Sequence, residues 1–172
     1  MRRLFSAAVV GVLAALTLSA PAQAAPPPGP GWVRIPSPPF DYPAGLTCDF
    51  PVHGDPIVDE VYYKTLTRKP DGTVRTEAAT GPLIYRLTNV STGATTEGDA
   101  SASGLLTHHD DGALTYLVHG PILIGIREGR STLPRGLYVL DGPAWRLEVS
   151  ADIFRRPSGA YRIAKDVCAV LS

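Results

Sequence analysis

Three of the four histidines of the chain and two adjacent aspartates fall within one stretch, LTHHDDGALTYLVHG, residues 106–120. Imidazole and carboxylate groups are zinc ligands, so residue types alone suggest a metal site. Asp110-Asp111-Gly112 is also a turn signal with alternating residues on either side, which predicts a β-hairpin. Chemistry at this stretch therefore depends on whether a hairpin can bring its histidines together.

The geometry of a β-hairpin keeps these histidines apart. If the turn has two residues, His108 and His119 share a face but lie four strand positions apart, or roughly 13 Å at about 3.4 Å per residue. Zinc ligands each sit only about 2 Å from the metal. His109 points to the opposite face, because successive side chains alternate. The hairpin alone therefore predicts no metal site, and a metal would need ligands from another strand, such as His53 or Asp55.

The same two-residue turn predicts which face of the hairpin is buried. The inward residues would be Leu105, Leu114, Tyr116 and Val118. The face that carries His108 and His119 would be solvated or covered by a neighbouring segment.

Other residues with catalytic side chains form no recognised motif. Ser101 and Ser103 lack the G-x-S-x-G context of a nucleophile elbow. His53-Gly54-Asp55 could place a base beside a carboxylate, although its position between two prolines is typical of a turn. Asp59 and Glu60 would face opposite ways on a strand, which does not suit a glycosidase pair. P-loop, dinucleotide-binding and HExxH patterns are absent from the sequence. The sequence therefore assigns no catalytic, cofactor-binding or metal residue.

Short alternating runs between turn signals make up most of the chain. The turn signals are Pro70-Asp71-Gly72, Ser91-Thr92-Gly93, Asp110-Asp111-Gly112, Asp141-Gly142-Pro143 and Pro157-Ser158-Gly159. The clearest apolar alternations are Leu83/Tyr85/Leu87, Ile122/Ile124/Ile126 and Trp145/Leu147/Val149. Residues 57–66 also fit a helical stripe, but their β-branched and aromatic content favours a strand. The pattern predicts a single antiparallel all-β domain, a small meander-type barrel or, alternatively, a β-sandwich.

The start of the chain has the features of an export signal. Arg2 and Arg3 precede an apolar run, and Ala22-Gln23-Ala24 supplies the small-x-small pattern of a cleavage site. We expect residues 1–24 to be a cleaved signal peptide, for the general secretory route or the twin-arginine route, and the mature protein to have no membrane span. Cleavage leaves 14 basic against 16 acidic residues, a formal charge of −2. A surface with this charge attracts phosphate backbones only weakly, which argues against nucleic-acid binding.

The rest of the chain divides into a leader and one domain. Residues 25–45 hold eight prolines and predict an extended, poorly packed leader. Residues 46–172 suit one domain. Cys48 and Cys168, the only two cysteines, bracket it almost end to end. In an exported protein, an isolated and widely separated pair of this kind predicts a disulfide.

One resemblance can be named. The run Cys48-Asp49-Phe50-Pro51-Val52, a TN-x-x-TG turn, an SG, a DG hairpin and the closing Cys168 are similar to a group of small secreted bacterial proteins of unknown function. The similarity covers most of residues 48–172. Its motifs are turn and strand residues, so the resemblance implies a scaffold and carries over no active site.

These observations lead to an expectation about function. We expect a secreted binding or interaction module, non-catalytic and without a cofactor, whose partner is a protein or a small molecule. One alternative is a secreted hydrolase assembled from scattered residues such as His53 and Asp55. Another is a structural component of the cell envelope.

Overall fold

The computed structural model describes residues 28–172, so the predicted signal peptide lies outside the described residues. The elements are β1 (Val33–Arg34), β2 (Phe40–Tyr42), β3 (Val52–Asp59), β4 (Tyr62–Arg68), β5 (Val74–Thr80), β6 (Leu83–Asn89), β7 (Thr95–Asp99), β8 (Ser103–His108), β9 (Leu114–His119), β10 (Ile122–Ile126), β11 (Gly136–Val149), β12 (Arg155–Asp166) and α1 (Val167–Leu171). Among these residues there is no helix long and apolar enough to cross a bilayer.

The strands form two antiparallel sheets. The larger sheet has the order β1-β4-β5-β8-β9-β11-β10, with β12 also paired to β11, and the smaller has the order β2-β3-β6-β7. The all-β prediction is confirmed. The expected barrel is wrong, because neither sheet closes on itself, and the sandwich-like alternative is the arrangement found.

The long strand β11 explains why the large sheet bends instead of closing. β9 and β10 lie one after the other along the same side of β11, with Val118 opposite Trp145 and Ile122 opposite Leu140. The register of β11 against β12 shifts between Asp141 and Ala144. A bulge of this kind bends the bulged strand and increases its local twist. One half of β11 therefore lies in the layer with β9, and the other half extends beside β10.

Two of the predicted reversals are wrong. Residues 141–143 lie inside β11, and residues 157–159 lie inside β12, where they pair with residues 145–147 of β11. Glycine and proline suit a bulge as well as a turn. A Cβ on Gly142 would collide with the carbonyl oxygen of Ala160, so the strands approach closely there. Pro157 is tolerated because, apart from the bridge of Arg155 to Ser131, no described strand pairs with the outer edge of β12.

The turn expected at His53-Gly54-Asp55 is also wrong, because these residues lie inside β3. The other three turn signals and the alternating runs are confirmed. Gly72, Gly93 and Gly112 each lie in the loop between consecutive antiparallel strands and have a positive φ. The three alternating runs occupy β6, β10 and β11. Residues 57–66 belong to β3 and β4, except for Glu60 and Val61, which connect the two strands.

Two groups of buried residues form the core. The first lies around β9, β10 and β11 and consists of Ala102, Val118, Ile124, Ile126, Tyr138, Leu140, Trp145 and Leu147. The second lies where the small sheet meets α1 and consists of Cys48, Val52, Tyr85, Leu87, Leu137, Val167 and Leu171. β11 contributes to both groups, through Trp145 to the first and through Leu137 to the second.

The described part of the leader is extended, and two short strands in it are hydrogen-bonded to the sheets. β1 pairs with β4, and β2 pairs with β3. Asp59 holds the connection between them, because its carboxylate accepts a hydrogen bond of 2.7 Å from the backbone N–H of Ser37. The pairing of residues 33–42 with the sheets was not expected, but Val33 and Ile35 are exposed, in keeping with a poorly packed leader. Proline is compatible with edge strands, and these two short strands lie at sheet edges.

A disulfide joins Cys48 to Cys168, as predicted, with their Cα atoms 5.3 Å apart. The β-branched and apolar residues of the segment VCAVL, residues 167–171, favour a last strand, but the segment forms α1. The side chain of Asp166 accepts a hydrogen bond from the backbone N–H of Ala169 and caps the helix. The disulfide therefore fastens this short helix to the segment before β3.

Candidate ligand-binding site between the sheets

The hairpin that carries the histidines has a different register from the one expected. Its loop has three residues, 110–112, and His109 donates its backbone N–H to the carbonyl oxygen of Ala113 at 2.9 Å. His108 consequently pairs with Leu114, and His119 pairs with Ser103. A shift of one residue moves side chains to the other face. The prediction that His108 and His119 share a face is therefore wrong, and they lie on opposite faces.

The same shift changes which residues face inward. Leu106 pairs with Tyr116 on the inner face, together with Leu114 and Val118. Leu105 was expected to point inward, but it pairs with Leu117 on the outer face, where both leucines are more than 40% exposed.

Each histidine bonds to a different partner. His108 contacts Glu77 at 2.8 Å, His109 contacts the hydroxyl of Thr115 at 2.9 Å, and His119 contacts the carbonyl oxygen of Pro143 at 2.6 Å. His53 contacts Asp41 at 2.8 Å. Within residues 28–172, no three His, Cys, Asp or Glu side chains are grouped so as to hold a metal ion.

The residues considered for a hydrolase are not brought together. The ring of His53 bonds to Asp41 of β2 and not to Asp55, and both members of that pair are exposed. The hydroxyl of Ser101 bonds to the backbone of Leu83, and that of Ser103 bonds to Thr80. These serines tie strands and loops together.

A cavity of about 340 Å³ lies between the two sheets. Its lining residues come from β2, β4, β5, β6, β9, β10 and β11 and from the loops between them. None of the described lining residues has a charged side chain. They are Phe40, Tyr42, Val61, Tyr63, Ala79, Leu83, Tyr85, Ala100, Ala102, Tyr116, Ile122, Leu123, Gly125, Leu137 and Leu147. Ligand pockets typically have volumes of about 300–1,000 Å³ and mostly apolar walls. This cavity is the best candidate for a binding site.

Five aromatic rings line the cavity, and three of them contact one another. The ring of Phe40 lies 4.6 Å from that of Tyr42 and 5.3 Å from that of Tyr85, measured between centroids, and both pairs are tilted. Phe40 is directly opposite Gly54 on β3, where any Cβ would overlap its ring. Gly125 gives similar room to Tyr42. Glycines in the neighbouring strands thus make space for the aromatic wall.

Burial raises the pKa of three of the cavity tyrosines. Burial raises the pKa of Tyr116 to about 12, with a smaller contribution from Tyr63. Burial also raises the pKa of Tyr63, and the charges of Glu77 and Asp59 add to that effect. Burial and then the charge of Asp59 raise the pKa of Tyr85, although a hydrogen bond to Ser37 acts in the opposite direction. These three hydroxyls therefore keep their protons to a higher pH than free tyrosine does.

Two of these hydroxyls already have protein partners. Tyr116 donates to the carbonyl oxygen of Ala102 at 3.4 Å, and Tyr85 donates to that of Pro38 at 3.3 Å. Both distances are long for O–H···O bonds. Each hydroxyl can still accept a second hydrogen bond, so the wall can orient a ligand that has one or two polar atoms.

No protein-family model, no curated protein and no solved structure matches this chain. The resemblance to small secreted bacterial proteins stays a prediction. Sequence reasoning missed the cavity, because its residues come from strands far apart in the chain. The one available signal was the set of tyrosines and phenylalanines at alternating strand positions, such as Phe40/Tyr42.

Proposed function

We propose that this protein is a secreted, non-catalytic binding module that holds a small, mostly apolar ligand in the cavity between its sheets. The observation that carries the proposal is the cavity itself, which has the size of a ligand pocket and a wall without charged side chains. Two tyrosine hydroxyls on that wall could hold polar atoms of the ligand in place.

The surroundings of the cavity support binding more than catalysis. A general base must reach the proton that it abstracts, and the histidines bond to partners away from the lining residues. The disulfide supports the extracytoplasmic part of the proposal, since such bonds persist in oxidising compartments.

Nuclear magnetic resonance of the mature domain tests this function directly. We expect 4-tert-butylphenol, a small apolar probe with one hydroxyl, to shift the amide signals of β5, β6 and β9 in a saturable manner. Shifts scattered over the outer faces, or no saturation up to the solubility limit of the probe, would contradict the proposal.

A further inference from the structure

The composition of the cavity wall points to the charge of its ligand. Five of the lining residues are aromatic: Phe40, Tyr42, Tyr63, Tyr85 and Tyr116. The face of an aromatic ring carries partial negative charge and attracts a cation that lies within about 6 Å of its centroid. No lysine, arginine or histidine is among the described lining residues, so the rings have no protein cation to bind inside the cavity.

The charged groups beside the cavity are mainly acidic. Glu77 is on the same face of β5 as Ala79, two residues along, and its side chain is 17% exposed. It is bonded to His108. Asp59 lies at the end of β3 and is bonded to the backbone of Ser37.

Two basic side chains contact these residues, His108 at Glu77 and Arg34 at Asp59, and neither lines the cavity. Arg34 is exposed and bonds to the carbonyl oxygen of Asp59, outside the cavity wall. An anionic ligand would therefore enter a site with two carboxylates near it and no cation within it. A buried charge without a partner is costly, which disfavours such a ligand.

We propose, on the basis of the binding function proposed above, that the ligand is an organic cation with an apolar body, of the quaternary ammonium class. A quaternary ammonium group has no N–H donors, so a wall of rings can surround it without leaving a donor unsatisfied. Aromatic cages bind this class of ligand in general. A primary ammonium fits less well, because each of its three N–H donors needs an acceptor, and the only side-chain acceptors among the described lining residues are tyrosine oxygens.

Two isosteric probes separate the charge of the ligand from its shape. (4-Hydroxyphenyl)trimethylammonium and 4-tert-butylphenol have the same outline and differ in one atom, nitrogen for carbon, and hence in charge. We expect the cation to bind at least about tenfold more tightly, given the magnitude of cation–π attraction in desolvated sites. Titration calorimetry or the amide shifts described above measure both affinities.

The outcomes distinguish the two proposals. If neither probe binds, the binding function itself fails. If the neutral probe binds as tightly as the cation or more tightly, the cavity is a binding site but the inference about charge is wrong.

Matched variants show whether the rings cause the preference. Phe40→Leu and Tyr63→Leu keep apolar walls and remove one ring each, so each should reduce the ratio of the two affinities by several fold. Tyr63→Phe keeps the ring and should keep the ratio. An unchanged ratio in both leucine variants, with folding verified by their amide spectra, would overturn the inference.

Discussion

Ala78 and Ala79 are consecutive residues of β5, yet Ala79 lines the cavity and Ala78 lies opposite the exposed Leu105 on the outer face of the same sheet. Their side chains differ in direction because strand residues alternate between faces. The two positions therefore offer the same substitution inside and outside the proposed site.

We expect Ala79→Leu to weaken binding of (4-hydroxyphenyl)trimethylammonium and of 4-tert-butylphenol by at least about tenfold, since its three additional carbon atoms occupy cavity volume that the ligand would fill. Ala78→Leu is the matched control and should leave both affinities unchanged. Titration calorimetry on the two variants checks this. Equal affinities in both variants would place the binding site elsewhere.

Alkaline pH should destabilise the protein through its buried tyrosines. The pKa of Tyr116 is raised from 10.0 to about 12 in the folded protein. The folded chain keeps this proton at a pH where the unfolded chain releases it. The contribution to stability is therefore complete below about pH 10 and is lost as the pH rises from about 10 to about 12. A two-unit shift corresponds to about 2–3 kcal/mol.

The substitution Tyr116→Phe isolates this contribution. Phenylalanine does not ionise, so the free energy of unfolding of the variant should fall less steeply above about pH 10 than that of the wild-type protein. Urea denaturation at a series of pH values measures the difference. Parallel curves for the two proteins would show that Tyr116 does not retain its proton. Tyr63, Tyr85 and Tyr138, whose pKa values are also raised by burial, should leave some pH dependence in the variant.

Reduction of the disulfide should lower the melting temperature clearly. The bond closes a loop with a sequence separation of 120, for which chain entropy predicts a stabilisation of roughly 5 kcal/mol as an upper value. Domains are stable by only about 5–15 kcal/mol, so the loss is a large part of the total. Thermal unfolding with and without a reductant measures it.

The variant with Cys48→Ser and Cys168→Ser provides the control for reduction. Its melting temperature should be lowered to a similar extent, and a reductant should not change it further. A wild-type protein with two titratable thiols and an unaltered melting temperature would refute the stabilising role of the bond.

The histidine hairpin should not bind zinc tightly. His108 and His119 lie on opposite faces, and each is bonded elsewhere. We expect a zinc titration to give no dissociation constant below about 10 μM. Such binding is weak compared with structural zinc sites, whose binding free energies reach about 10–16 kcal/mol. One-to-one binding tighter than this, abolished in the variant with His108→Ala and His119→Ala, would contradict the register.

Periodicity identifies the strands of this protein well and their register less well. The alternation of Leu83, Tyr85 and Leu87 predicts both β6 and its buried face, because one side of the strand meets the core along its length. The hairpin at 110–112 shows the limit of such reasoning. A loop of three residues instead of two reverses the faces of one strand, and the sequence of the turn allows either length.

The sequence predicts less well the segments whose structure depends on contacts with residues far away in the chain. Residues 141–143 have the composition of a turn, and only the pairing of β11 with β9 and β12 makes them a bulge. VCAVL is rich in β-branched and apolar residues, but the cap provided by Asp166 and the bond from Cys168 favour a helix. The cavity is invisible in the sequence for the same reason, since it exists only where seven strands meet.

The passage of β11 through both buried groups has a consequence for how the protein unfolds. Leu137 and Trp145 belong to one continuous strand, β11. If one buried group loses its packing, part of β11 separates from its neighbouring strands, and this disturbs the other group. Folding should therefore be cooperative across the whole molecule, without a populated half-folded state. The amides of β11 should be among the slowest to exchange with deuterium, because their exchange requires global opening.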